Sequence, residues 1–243
     1  MPAGARRALL ERLIDHAPLF PPAALPMQAA LAEDRRFRAG PDGWLVRRFV
    51  CPASKLPELD GLDGSVSVVL DGEHPIDDPR VEAVEAGLGA DVRGLAALAT
   101  EVYLEVAPGG DLEPLAAHGL RAKVRCGGAR VPTVEELAGF VRRCRELGVP
   151  FKATAGLHHA VRTGAEHGFL NLLAAAQFGE EEQALAETDP DAFALEEEGF
   201  SWRGRLAGAE EIARMRAGLF VGFGSCSAQE PADELRALGF LPA

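Results

Sequence analysis

The chain has 243 residues, 47% of them hydrophobic and 26% charged, which suits one sizeable soluble domain with a full core, spanning 1–243. Its formal net charge of -12 argues against nucleic acid or an anionic membrane as the main partner, while leaving room for a small anion in a locally basic pocket. No apolar run approaches the roughly 20 residues that span a bilayer, and Glu11, Arg12 and Asp15 break the N-terminal apolar stretch, which does not read as a signal peptide. Cys51, Cys126, Cys144 and Cys226 form no CxxC pair and no zinc spacing, so the expectation is reduced thiols in a cytoplasmic protein.

In chain order the pattern predicts a strand near 13–17, a helix near 26–38, a strand near 44–51 and a helix near 54–59. Strands near 65–71 and 81–86 follow, then a helix near 91–98, a strand near 101–107, a helix near 112–117 and a strand near 121–126. The helix at 133–147 is the best defined. Thr133 and Glu136 form a capping box, Leu137, Phe140, Val141, Cys144 and Leu147 share one stripe, and Gly148 with Pro150 ends it. A strand near 151–155, a helix near 168–178 and a strand near 219–224 complete the series. Short strands alternating with helices over this length predict an α/β fold, a (β/α)8 TIM-like barrel, with an open doubly wound sheet as the alternative. The acidic run Glu180–Glu182 reads as a solvated surface. AFALEEEGFSWRG reads as a small hairpin inserted before the last strand, a candidate lid or a surface ornament.

Charge in the strands is the strongest functional signal. A buried parallel strand ordinarily reads as a continuous apolar run, yet RAKVRC and FKATAG carry Lys123, Arg125 and Lys152. Side chains alternate across a strand, so Lys123 and Arg125 share one face, as do Lys152 and Thr154. The helix-facing side is apolar, which puts all four in the lumen. The same alternation groups Glu101, Tyr103 and Glu105, and adds Glu85 and Asp71 as lumen carboxylates. Two neighbouring lysines have a chemical meaning, because a nearby cation and desolvation favour the neutral amine that attacks a carbonyl. Lys152 is the expected nucleophile, with Lys123 depressing its pKa and Glu105 moving a proton. The alternative is a buried ion-pair network without chemistry.

Glycine-rich ends of strands suggest anion binding by backbone N–H groups. CGGA follows one lysine strand, and GFGSCS offers Gly224, Ser225, Cys226 and Ser227 as ligand contacts. His158 and His159 follow the 151–155 strand directly, His167 comes later, and His16 lies in the first strand. His158 is the candidate acid–base residue; His158 and His167 with carboxylates could instead hold a divalent metal. No dinucleotide or nucleotide fingerprint occurs, and no cofactor is expected.

LIDHA and FKATAGL resemble the LIDHT and KTSTG segments of deoxyribose-phosphate aldolase and its class I aldolase relatives. The resemblance implies a Schiff base on Lys152, with Asp15 matching the early aspartate and His16 beside it. It departs from that family at Ala153 and Ala155, which replace hydroxyl residues, and in placing the second lysine, Lys123, on the preceding strand. Together LFPPA, KATAGLHH, HGFLN and GSCS are similar to an uncharacterised bacterial family. The expectation is therefore a barrel enzyme acting on a small anionic carbonyl compound or sugar phosphate, of lyase, aldolase or isomerase type. Lys152, Lys123, Glu105 and His158 are the catalytic candidates, and Arg125, Asp15, His16, Thr154 and GFGSCS the binding candidates. A divalent-metal hydrolase and a noncatalytic ligand-binding barrel are the alternatives, and a homo-oligomer is compatible with the chain.

Overall fold

The computed structural model describes residues 4–95 and 101–242. In chain order its strands are β1 (Ile14–His16), β2 (Val46–Pro52), β3 (Val66–Val69), β4 (Val81–Ala86), β5 (Glu101–Glu105), β6 (Arg121–Arg125), β7 (Phe151–Thr154), β8 (Phe193–Leu195), β9 (Phe200–Trp202), β10 (Arg205–Ala207) and β11 (Phe220–Ser225). The helices are α1 (Ala5–Leu10), α2 (Met27–Arg38), α3 (Val92–Leu95), α4 (Glu113–His118), α5 (Val134–Leu147), α6 (Phe169–Phe178), α7 (Glu181–Ala186), α8 (Ala209–Gly218) and α9 (Gln229–Ala237). β1 to β7 and β11 close into a parallel eight-stranded barrel, with β11 pairing β7 on one side and β1 on the other. The TIM-like barrel expectation holds and the open sheet does not. The predicted helix near 54–59 is a 3₁₀ segment, Ala53–Glu58, containing Pro57, which denies the longer α-helical ladder a donor. The predicted 91–98 helix begins as α3, and its last residues lie outside the described ones.

The two faces of each strand explain the closure. On β5, Val102 and Leu104 enter the main apolar cluster with the surrounding helices, while Tyr103 points inward and packs with Ala83 and Val221 in the lumen. On β2, Phe49 and Cys51 face α2 and its neighbours. α5 carries the Thr133–Glu136 capping box and ends at Gly148, as its pattern predicts. Its stripe buries Leu137, Phe140, Val141 and Cys144, with Phe140 edge-on to Phe151 of β7.

The inserted hairpin exists and gains a third strand, forming the antiparallel sheet β8–β9–β10. No residue of it lines the cavity at the C-terminal ends of the barrel strands. Phe200 and Trp202 pack on Phe178, the last residue of α6, and Phe200 also meets Phe240. α6 follows the C-terminal end of β7, so its own last turn lies toward the opposite end of the barrel. The acidic run preceding the hairpin is only partly solvated: Glu181 is buried and paired with Arg145 at 3.2 Å.

Candidate active site

The C-terminal ends of the barrel strands border a cavity of about 660 Å³, whose walls include Lys123, Arg125, Lys152, Thr154, Glu85 and Glu105. This is the end at which barrel enzymes work. All four polar residues assigned to the lumen from β6 and β7 line it. Strand register explains the juxtaposition, since Lys123 is the direct neighbour of Lys152, and Arg125 of Thr154, across the β6–β7 pair.

At the floor two carboxylates clamp one ammonium. Lys152 Nζ donates to Asp15 Oδ2 at 2.5 Å and to Glu85 Oε1 at 2.7 Å, and lies 5.3 Å from the centre of the Tyr103 ring. Ser67 donates its hydroxyl to the same Glu85 oxygen at 2.7 Å. Lys123 is held more loosely, with Glu85 Oε2 and Glu105 Oε2 each 3.4 Å from its Nζ. Glu85 therefore bridges the two amines. Burial opposes its charge, but the Lys152 and Lys123 ammonium groups outweigh that and bring its pKa down to about 2.

This geometry corrects the expected role of Lys152. Burial pulls its pKa down, but Asp15 and Glu85, with a contribution from Tyr103, outweigh burial and hold it above the ordinary lysine range. Lys152 is a locked cation. Its close contacts, 2.5 Å to Asp15 and 2.7 Å to Glu85, hold the ammonium form against the neighbouring lysine, whose own carboxylate contacts are 3.4 Å. Asp15 is likewise not a ligand contact: it sits behind Lys152, outside the cavity lining, and is 1% exposed.

Other candidates divide by the direction their side chains take. Gly224, Ser225, Cys226 and His158 line the cavity. Burial raises the Cys226 thiol pKa, which makes it a poor nucleophile. Ser227 turns away and accepts from the Glu230 N–H at 3.2 Å at the start of α9. His16 follows Asp15, and alternation sends it out of the lumen. Its Nδ1 meets Asp34 Oδ1 of α2 at 2.8 Å, and the residue is fully buried outside the cavity. Asp71 is exposed and accepts from Ser54, so it is no lumen carboxylate. His167 is buried against the Pro132 carbonyl at 2.8 Å and does not line the cavity, so the His158/His167 metal pair is not assembled. His159 bonds Glu234 of α9 at 2.9 Å instead of facing the cavity.

Arg125 at the rim makes no ion pair among the described residues, and its guanidinium lies beside Gly128. The turns after β6 and β7 touch backbone to backbone: a Cβ on Gly127 would lie 2.6 Å from the Gly156 Cα, and one on Gly156 2.7 Å from the Gly127 Cα. Gly156 also has φ +67, which favours glycine. The wall from β1, β2 and β3 is apolar and includes Phe20, Pro22, Val50 and Leu70.

Two features escaped the sequence reading. Arg48 is buried beneath the site with Nη2 on Glu101 at 2.8 Å and Nε on Glu82 at 3.1 Å. Its signal was present in VRRFVC, where Arg48 alternates with the cavity-lining Val50. The second is lysine usage: the chain has three lysines, Lys55, Lys123 and Lys152, against 22 arginines. Two of the three stand side by side in the lumen. No protein-family model matches the chain, and no curated protein matches it either.

Proposed function

We propose that this chain is a lyase- or isomerase-type enzyme acting on a small anionic carbonyl compound through an imine on Lys123. The observation that carries this reading is the placement of lysine in a chain that otherwise uses arginine. Arginine remains protonated in proteins, whereas lysine can yield a neutral amine. Of the two, Lys123 is the amine with the looser contacts and a place on the cavity wall.

In this reading Lys123 passes a proton to Glu105, and its amine attacks the carbonyl carbon, forming the C–N bond. The carbinolamine takes up a proton, loses water and becomes a protonated imine. That cation accepts the electron pair released when an adjacent C–H or C–C bond breaks, with Glu105 or His158 carrying the proton. Water then attacks the imine carbon, releasing product and the amine. Lys152, fixed by Asp15 and Glu85, supplies a permanent positive charge beside the developing oxyanion. Arg125 holds the ligand's anionic group. The resemblance of FKATAGL to class I aldolases supports the chemistry, while the two carboxylates against Lys152 favour its neighbour Lys123 as the nucleophile.

Incubation with a panel of 2-oxo acids and short-chain sugar phosphates, followed by borohydride reduction, should add the ligand's mass to the peptide containing Lys123. Absence of any adduct across the panel would instead favour a ligand-binding barrel, a reading supported by the pairing of both lysines with carboxylates.

A further inference from the structure

The opposite end of the barrel carries a second cavity, of about 610 Å³, between α1, α8 and the starts of the strands. Arg7, Arg12, Arg47, Arg121 and Arg216 line it, an unusual concentration in a chain of net charge -12. The acidic groups there are mostly committed. Glu101 accepts from Arg47 at 2.7 Å, Arg48 at 2.8 Å and the Tyr103 hydroxyl at 2.8 Å, with Arg121 at 3.1 Å. Glu11 is taken by Arg7 at 3.0 Å. Glu82 takes Arg12 at 2.9 Å and Arg48 at 3.1 Å, so Glu101 and Glu82 together serve four guanidinium groups, and the wall keeps an excess of positive charge.

Arg216 sharpens the point. Its guanidinium donates to backbone carbonyls only, those of Leu9, Arg12, Phe220 at 3.1 Å and Val221 at 3.0 Å. No carboxylate among the described residues pairs with it. Burial, and then the nearby Arg47 charge, push its pKa below the ordinary arginine range. Arg47 shares its carboxylate, Glu101, with Arg48 and Arg121, and Arg216 has no carboxylate in contact among the described residues, so an anion entering the cavity would relieve the repulsion between them. Arginine forks match the planar and tetrahedral oxygens of carboxylate and phosphate.

We infer that this cavity binds a small polyanion of the phosphate type, at a site separate from the lysine cavity and independent of the reaction proposed there. Glu210, exposed on the first turn of α8, opposes binding, and Ala213, exposed on the same helix, faces the ligand without contributing charge.

Calorimetric titration with inorganic pyrophosphate at constant ionic strength tests this. The wild-type chain should bind saturably. Ala213→Glu, which adds a carboxylate at an exposed helical position and removes no contact, should weaken binding roughly tenfold or more. Glu210→Gln should tighten it about twofold, and Arg125→Gln, at the other end, should leave it unchanged. Because Glu210→Gln strengthens binding, failure of a variant to fold cannot mimic the full pattern. Absence of saturable binding by the wild-type chain would overturn the inference. So would binding that survives Ala213→Glu, or that is lost in Arg125→Gln.

Discussion

At residue scale the lumen charge centres on Glu85, which touches both lumen amines. Replacing it by glutamine leaves Lys152 with Asp15 alone, and breaking such a buried pair costs about 3 kcal/mol. The pH dependence carries a definite sign. In the fold Glu85 is lowered to about 2, while an unfolded glutamate titrates near 4.3, roughly. Its stabilisation is therefore full above about pH 4.3 and disappears as pH falls toward 2. Lys152 is shifted upward, so its share is full below about pH 10.4 and fades only in stronger alkali. Denaturant unfolding across pH should show Glu85→Gln less stable than wild type at pH 7, with the gap closing in acid. A constant gap would contradict the clamp. For Arg125 the prediction concerns binding: Arg125→Gln should raise KM for the anionic substrate about tenfold or more with kcat nearly unchanged, the mark of an interaction shared by ground and transition states. Steady-state kinetics over substrate concentration would show it.

Alternation makes the inward set Lys123, Arg125, Lys152 and Thr154 legible in the sequence. Position alone misleads at His16, which lies next to Asp15 and points the other way, and at Asp71, which lies past the end of its strand in solvent. What the chain pattern could not reveal was partnership. Nothing local to KATAG indicates that Asp15, 137 positions earlier, would reach its lysine, because β1 and β7 are brought together only by closure around β11.

At the scale of elements, the β6 and β7 turns are interlocked through Gly127 and Gly156. Gly156→Ala combines a left-handed backbone with a Cβ pressed onto Gly127, and should cost about 2 kcal/mol or more. Chemical denaturation would measure it, and the same shift should displace Arg125 and weaken ligand binding. A neutral substitution would mean the turns can separate freely. The β8–β10 sheet has the opposite character. Trp202 is 1% exposed against Phe178, so Trp202→Ala should cost about 3–5 kcal/mol. Imine trapping by the folded variant should remain as in wild type, because no residue of this sheet lines the lysine cavity. Loss of trapping at full folding would restore the lid interpretation. The hairpin itself was readable from alternation around Glu198–Gly199, but its location was not: only the aromatic contacts with α6 decide which end of the barrel it covers.

At the scale of the molecule, the barrel separates two charged ends. One holds two lysines among carboxylates at the C-terminal mouth, and the other a ring of arginines at the N-terminal mouth. Tyr103, Ala83 and Val221 form the apolar layer of the lumen. Among the described residues no helix is long and apolar enough to cross a membrane. The alternating order of strands and helices was enough to predict the barrel, since each unit is short and its strand apolar on the outer face. The partners of the two adjacent amines were not predictable to the same depth, since they depend on carboxylates from distant strands.

The most direct test compares Lys123→Arg with wild type in borohydride trapping, with the modified peptide mapped by mass spectrometry. Arginine retains the positive charge and much of the length, so the lumen electrostatics persist while the nucleophilic amine is lost. The expected result is an adduct on Lys123 in the wild-type chain and none in the folded variant. An adduct on Lys152, or one that survives the substitution, would contradict it.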